Sequence, residues 1–146
     1  MHPKIVVFSC NWDGWSCLEA AANSGLRYPA SVRLVRVSCL SRVHAGLILK
    51  AFEFRADGVM LVGCEPGSCH FGSDNELINK EYEKTRHILE MLGIHKDRLV
   101  LVQLPAFDGH QFVAQVTEFL AKVEQKPATK HARIAVSRST RGSEIR

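Results

Sequence analysis

Four short apolar runs recur along the chain, at residues 4–9, 32–37, 59–63 and 99–104. Between and after them lie longer stretches in which apolar residues return every three or four positions. The short runs predict strands and the longer stretches predict amphipathic helices. The third run, Val59-Met60-Leu61-Val62-Gly63, is apolar throughout, as a parallel strand buried on both faces must be. The second interleaves Val32, Leu34, Val35 and Val37 with Arg33 and Arg36, a composition suited to the edge of a sheet.

Punctuation between the runs sharpens the boundaries. After the first strand, Asp13 or Ser16 is placed to cap a helix over 15–23 that Gly25 stops, and Tyr28-Pro29 marks a loop. A second helix is predicted over 43–54, with Val43, Leu47, Ile48, Ala51 and Phe54 on its apolar stripe. Ser73 with Glu76 three positions later reads as a capped start for the third helix, which runs to Gly93. Asp108 is placed to cap a last helix over 109–125 with Phe112, Val113, Val116, Phe119, Leu120 and Val123 on one face.

The resulting order is β-α-β-α-β-α-β-α. Crossovers of this length predict a single open, parallel, four-stranded sheet with helices on both faces, an α/β fold of flavodoxin-like or Rossmann-like type. The expected strand order is 2-1-3-4. Beyond residue 125 the periodicity is lost. Residues 126–146 form a basic tail, with Lys126, Lys130, Arg133, Arg138, Arg141 and Arg146 against Glu144, expected to be disordered or docked on a partner. The chain therefore divides into an α/β domain at 1–125 and this tail.

A length of 146 residues, 46% of them hydrophobic and 23% charged, suits one soluble domain with a real core. Most of the formal net charge of +4 belongs to the tail, so the nearly neutral folded part does not suggest nucleic-acid binding. No apolar run approaches the roughly 18 residues of a membrane span, so no membrane association is expected. The first residues lead directly into a strand with no signal-peptide core, and a cytoplasmic location is expected.

Chemistry enters through the cysteines, which are Cys10, Cys17, Cys39, Cys64 and Cys69. An odd number in a reducing compartment argues against a disulfide framework. Three predicted strands run into Cys10, Cys39 and Cys64, and parallel strands place such ends on the one edge where open α/β sheets carry their sites. In Cys64-Glu65-Pro66-Gly67-Ser68-Cys69 the Pro-Gly pair turns the chain, so two thiolates can serve one metal centre. Iron–sulfur and zinc both remain open, although the paired Cys-x-x-Cys units of zinc ribbons are absent. Cys17, in the first turn of the first helix, is a fourth ligand, a spare beside the centre or a packing residue. Trp12 and Trp15 are placed to shield the centre from water, and His70 to ligate it or to donate to a sulfur. The alternative for each of these three is ordinary packing, docking or surface exposure. A flavin carrier would need a phosphate-cradling first loop, for which Asn11-Trp12-Asp13-Gly14-Trp15 is poor.

Several uncommon words stand in one order: Cys10-Asn11-Trp12, Leu26-Arg27-Tyr28-Pro29, Leu49-Lys50-Ala51-Phe52-Glu53, Ala56-Asp57-Gly58-Val59 and Gly63-Cys64-Glu65-Pro66-Gly67-Ser68-Cys69-His70. Over about residues 4–125 the chain resembles the iron–sulfur delta subunit of methyl-viologen-reducing hydrogenase, found with heterodisulfide reductase. The resemblance implies one [2Fe–2S] cluster and a non-catalytic role. Such a protein relays electrons between a donor oxidoreductase subunit, such as a hydrogenase or formate dehydrogenase, and the flavin subunit of a heterodisulfide reductase-like complex. Cys10, Cys39, Cys64 and Cys69 match family positions. Where the family usually has a further cysteine this chain has Asp13, and Cys17 stands one helical turn later.

Overall fold

The computed structural model describes residues 2–72 and 75–127. Four strands, β1 (Ile5–Cys10), β2 (Val32–Val37), β3 (Gly58–Cys64) and β4 (Leu99–Leu104), form one sheet. Their order is β2-β1-β3-β4 and every pairing is parallel, as the apolar pattern predicts. The helices are α1 (Asp13–Asn23), α2 (Ala45–Glu53), α3 (Asn75–Met91) and α4 (Gly109–Glu124). One apolar layer gathers Cys17, Leu18 and Ala21 of α1 with Phe112, Val116, Phe119 and Leu120 of α4. The opposite layer gathers Ile48 and Phe52 of α2 with Leu89 of α3, and Cys10 packs on that side. The central strand β3 is buried from Gly58 to Gly63, which is why its sequence carries no polar residue before Cys64.

Both predicted helix stops close with the same hydrogen-bond pair. At the end of α1, Leu26 N–H reaches the Ala21 carbonyl and Gly25 N–H the Ala22 carbonyl. At the end of α3, Ile94 N–H reaches Leu89 and Gly93 N–H reaches Glu90. Asp108 caps α4 as expected, its carboxylate accepting from Gln111 N–H at 3.0 Å. The proposed Ser73 cap lies outside the described residues.

Two boundaries differ from the sequence reading. Helix α1 begins at Asp13 rather than residue 15, and no side chain caps it. The Ser16 hydroxyl instead turns back to the Asp13 carbonyl at 2.7 Å, and the Asp13 carboxylate is engaged elsewhere. Helix α2 starts at Ala45, not residue 43. Residues Leu40–Arg42 form a separate 3-10 turn, Val43 is extended, and His44 caps α2 by accepting from Leu47 N–H. Val43 is nonetheless buried, so its apolar side chain mimicked helical spacing.

Arg98 closes the opposite end of the sheet. It is 3% exposed, and its guanidinium donates to the Asp57 carbonyl at 2.7 Å and the Pro127 carbonyl at 2.5 Å. Burial holds its pKa below the usual arginine range.

The two helices of the first layer approach backbone to backbone where Gly109 opens α4. A Cβ there would lie 2.4 Å from the Ala21 nitrogen and 2.7 Å from its Cα. Gly→Ala in a helix ordinarily stabilises by up to about 1 kcal/mol. Here the clash is with backbone, which cannot swing aside, and overpacking costs roughly 1–3 kcal/mol. Gly109→Ala is therefore expected to destabilise the chain by about 1 kcal/mol or more in urea unfolding. A gain in stability would show that the α1–α4 contact is looser than described.

Candidate metal centre

The site is built by parallel pairing. Ser9 lies opposite Val62 across β1 and β3, so these strands reach the same edge together and end at Cys10 and Cys64. Their sulfurs stand 3.7 Å apart. Strand β2 pairs Val37 with Cys10, and the chain continues two residues to Cys39. The Cys39 sulfur lies 3.8 Å from that of Cys69. Among the described residues, no cysteine is joined in a disulfide.

The return of Cys69 rests on a local device. Pro66 and Gly67 occupy the middle of a turn closed by Ser68 N–H to the Glu65 carbonyl at 3.1 Å. Gly67 has φ +82°, the left-handed value that a Pro-Gly turn of this type needs at its third position. The Ser68 hydroxyl is shared between the Glu65 carbonyl at 2.9 Å and the Asp13 carboxylate at 3.1 Å. Asp13 thus ties the cysteine loop to the first turn of α1.

Among the described residues, a backbone amide and a hydroxyl point at the paired sulfurs. Gly14 N–H reaches Cys10 Sγ at 3.2 Å, and the Ser41 hydroxyl reaches Cys39 Sγ at 3.2 Å. Gly14 has no room for a side chain, because a Cβ would meet Ser9 Oγ at 2.7 Å and the Val62 carbonyl at 2.9 Å. The sequence reading did not single out either donor. The available signals were a glycine in the first helical turn four residues after Cys10 and a serine two residues after Cys39.

The other expected site residues separate into two groups. Trp12 stacks on His70 with ring centroids 3.5 Å apart and planes 16° from parallel, and Phe71 meets both rings edge-on. These rings flank Cys10 and Cys69 in the chain and form one aromatic group. Trp15 instead packs against the α1/α4 layer, with the Arg36 guanidinium over its ring at 4.7 Å. Cys17 is fully buried in that same layer, and its thiol donates to the Pro105 carbonyl at 3.1 Å. Burial, the largest cause, raises its pKa.

Burial also pushes the Cys64 thiol up, to about 12, and charge on the adjacent Cys10 adds to the rise against a hydrogen bond from the Asp13 backbone. Two thiolates this close repel each other in a partly buried site. A bound cation removes that penalty and takes the place of the protons. The donor set fits such a group. Sulfurs bound at about 2.3 Å to one tetrahedral metal stand about 3.8 Å apart, which matches both pairs and is far beyond the roughly 2.05 Å of a disulfide. Among the described residues, no three or more His, Cys, Asp or Glu side chains gather around a single point. The arrangement is two pairs, not one cluster of four.

Most of the chain is similar to proteins of one family. Residues 5–125 match the family model described as methyl-viologen-reducing hydrogenase, delta subunit. The vhc iron-sulfur subunit of the F420-non-reducing hydrogenase of Methanococcus voltae is 35% identical over 123 residues, which is 84% of this chain and 85% of that protein. The vhu iron-sulfur subunit of the F420-non-reducing hydrogenase of Methanocaldococcus jannaschii is 34% identical over 125 residues, 86% of this chain and 93% of that protein. One subunit of the ferredoxin:CoB-CoM heterodisulfide reductase of Methanosarcina mazei is 30% identical over 84% of this chain, a stretch that makes up only 16% of that longer protein. The chain belongs to the methyl-viologen-reducing hydrogenase delta subunit family.

Proposed function

We propose that this chain is a non-catalytic electron-transfer subunit that holds one [2Fe–2S] cluster on Cys10, Cys64, Cys39 and Cys69. The observation that carries the reading is the two thiol pairs, at 3.7 and 3.8 Å. Each pair has the span of two ligands on one metal, and two such pairs suit two irons that complete their shells by sharing sulfides. A single four-thiolate zinc would require all four sulfurs at mutual tetrahedral spacing. Relatives named as iron–sulfur subunits support iron over zinc.

When bound, the cluster supplies one-electron transfer. The chain's own residues set the conditions for it. Gly14 N–H and the Ser41 hydroxyl donate to Cys10 and Cys39, favouring the more negative, reduced state. Trp12, His70 and Phe71 keep water from part of the edge. Cys17 is held by Pro105 in the other layer and serves packing.

Relatives named as hydrogenase and heterodisulfide reductase subunits support a place in a multisubunit oxidoreductase complex, and the proposal assigns two partners within it. A hydrogenase-type oxidoreductase subunit donates electrons, and the flavin subunit of a heterodisulfide reductase-like complex receives them. The longer Methanosarcina mazei relative, which contains a matching stretch within one chain, supports the second partner. Among the described residues no helix is long and apolar enough to cross a membrane. A cytoplasmic setting, where thiols stay reduced, belongs to the same proposal.

Two tests follow. The full chain purified without oxygen should be brown, bleach on reduction and contain about two irons per chain. Cys64→Ser and Cys69→Ser should lose most of that iron, and Cys17→Ser should keep both the iron and the paramagnetic resonance signal of the reduced state. A colourless zinc protein, or iron loss from Cys17→Ser alone, would defeat the assignment. Ser41→Ala removes one hydrogen bond to a sulfur that is stronger in the reduced state, and a difference of up to about 1 kcal/mol between the two states is roughly 40 mV for one electron. The cluster's potential should fall by about that amount in a redox titration, with iron content unchanged. An unmoved potential would place Cys39 outside the ligand set.

A further inference from the structure

The four paired thiols are not placed in the same way. Cys10 and Cys64 end strands of the sheet, and Cys39 opens the Leu40–Arg42 turn two residues past β2. Cys69 stands on a loop whose residues 65–68 are all exposed. Among the described residues, the backbone hydrogen bonds of this loop stay inside it, from Ser68 N–H to the Glu65 carbonyl and from Gly72 N–H to the Cys69 carbonyl. Neither a sheet ladder nor an apolar layer fixes it. Two side-chain contacts reach it from outside, one on each flank of Cys69. The Ser68 hydroxyl donates to the Asp13 carboxylate at 3.1 Å, and the His70 ring stacks on Trp12 with centroids 3.5 Å apart. Trp12 and Asp13 are adjacent, at the start of a helix anchored in the core by Leu18 and Ala21. The Trp12 carbonyl is itself held by Ser16 N–H at 2.9 Å.

We propose that Trp12 and Asp13 form a two-point clasp that holds Cys69 opposite Cys39, and that both are positioning residues for insertion and retention of the cluster. The inference rests on the electron-transfer reading above for the identity of the bound group. Neither contact uses a ligand sulfur, so the clasp can close in the chain without metal and spare the cluster the cost of ordering the loop. The contacts also support each other. With Ser68 tied, His70 is confined close to Trp12, and the second contact forms at high effective concentration. Losing both should therefore cost more than the product of the single losses. Asp13 acts by charge as well. After burial and the neighbouring Cys10, it adds to the upward push on the Cys64 thiol. A negative charge that opposes a thiolate also opposes an added electron.

The test uses the full chain prepared without oxygen, with and without its cluster. In the cluster-free chain, diamide takes two electrons and two protons from a thiol pair and leaves a disulfide. The rate at which each pair cross-links, read by peptide mapping, reports how closely its thiols are held. Ser68→Ala and Trp12→Ala should each slow the Cys39–Cys69 link about threefold. The variant carrying both should slow it about thirtyfold. The Cys10–Cys64 link should keep its rate in all of them, which also reports that the sheet is folded. Loss of iron from the loaded chain to a chelator should speed up in the same order. Asp13→Asn keeps an acceptor for Ser68 and Trp12→Phe keeps a ring for His70, so both should retain wild-type cross-linking. Asp13→Asn should still raise the reduction potential, an effect that loop support alone would not produce. Wild-type cross-linking in the doubly substituted chain, or a double loss no larger than the product of the single ones, would overturn the clasp and leave the electron-transfer reading intact. A wild-type chain that takes up no iron would defeat that reading, and cross-linking of the metal-free chain would still decide the clasp.

Discussion

The functional edge depends on parallel register. With Ile5 opposite both Val32 and Gly58, β1, β2 and β3 start level and end level. Three chain segments therefore leave the sheet side by side, and short continuations suffice to bring thiols from separate loops together. Antiparallel pairing would send alternate ends to opposite edges and separate Cys10 from Cys64. The layers on either face hold this register, because a slip by one residue would turn Val59, Leu61 and their neighbours away from the core they fill.

Rigidity near the sheet gives way to local hydrogen bonds at the edge. The Pro66-Gly67 turn returns the chain, and the bond from Ser68 to Asp13 fixes the loop against α1. The Asp13 carboxylate thus performs a positioning task at the start of α1. Gly14, next to it, brings an N–H to Cys10 and leaves no room for a side chain. The same three residues, Trp12 to Gly14, thus supply an aromatic cover, a loop tie and a sulfur donor.

The strand order and the convergence of cysteines were legible because both follow from apolar runs of uniform direction, three of the four stopping at or just before a thiol. Which sulfurs pair was not legible. Cys64 and Cys69 are neighbours in sequence, yet each joins a cysteine from another strand, because the type of turn at Gly67 decides where Cys69 points. Trp12 and Trp15 looked equivalent beside Asp13-Gly14. Three residues of helix turn one toward His70 and the other into the α1/α4 layer. The 3-10 turn at Leu40–Arg42 was hidden because buried Val43 keeps helical spacing without helical backbone. Of the tail expected at 126–146, Lys126 pairs with Asp97 and the Pro127 carbonyl accepts from Arg98, while 128–146 lie outside the described residues and their charge pattern stands as a sequence expectation.

In the proposed assignment each thiol pair holds one of two coupled irons. Mössbauer spectroscopy of the full chain enriched in iron-57 distinguishes this from a single metal: two ferric sites coupled to a diamagnetic ground state are expected when oxidised, and one ferric and one ferrous site after one-electron reduction. A lone magnetic ferric site, or a protein that takes up one zinc and no iron, would contradict it.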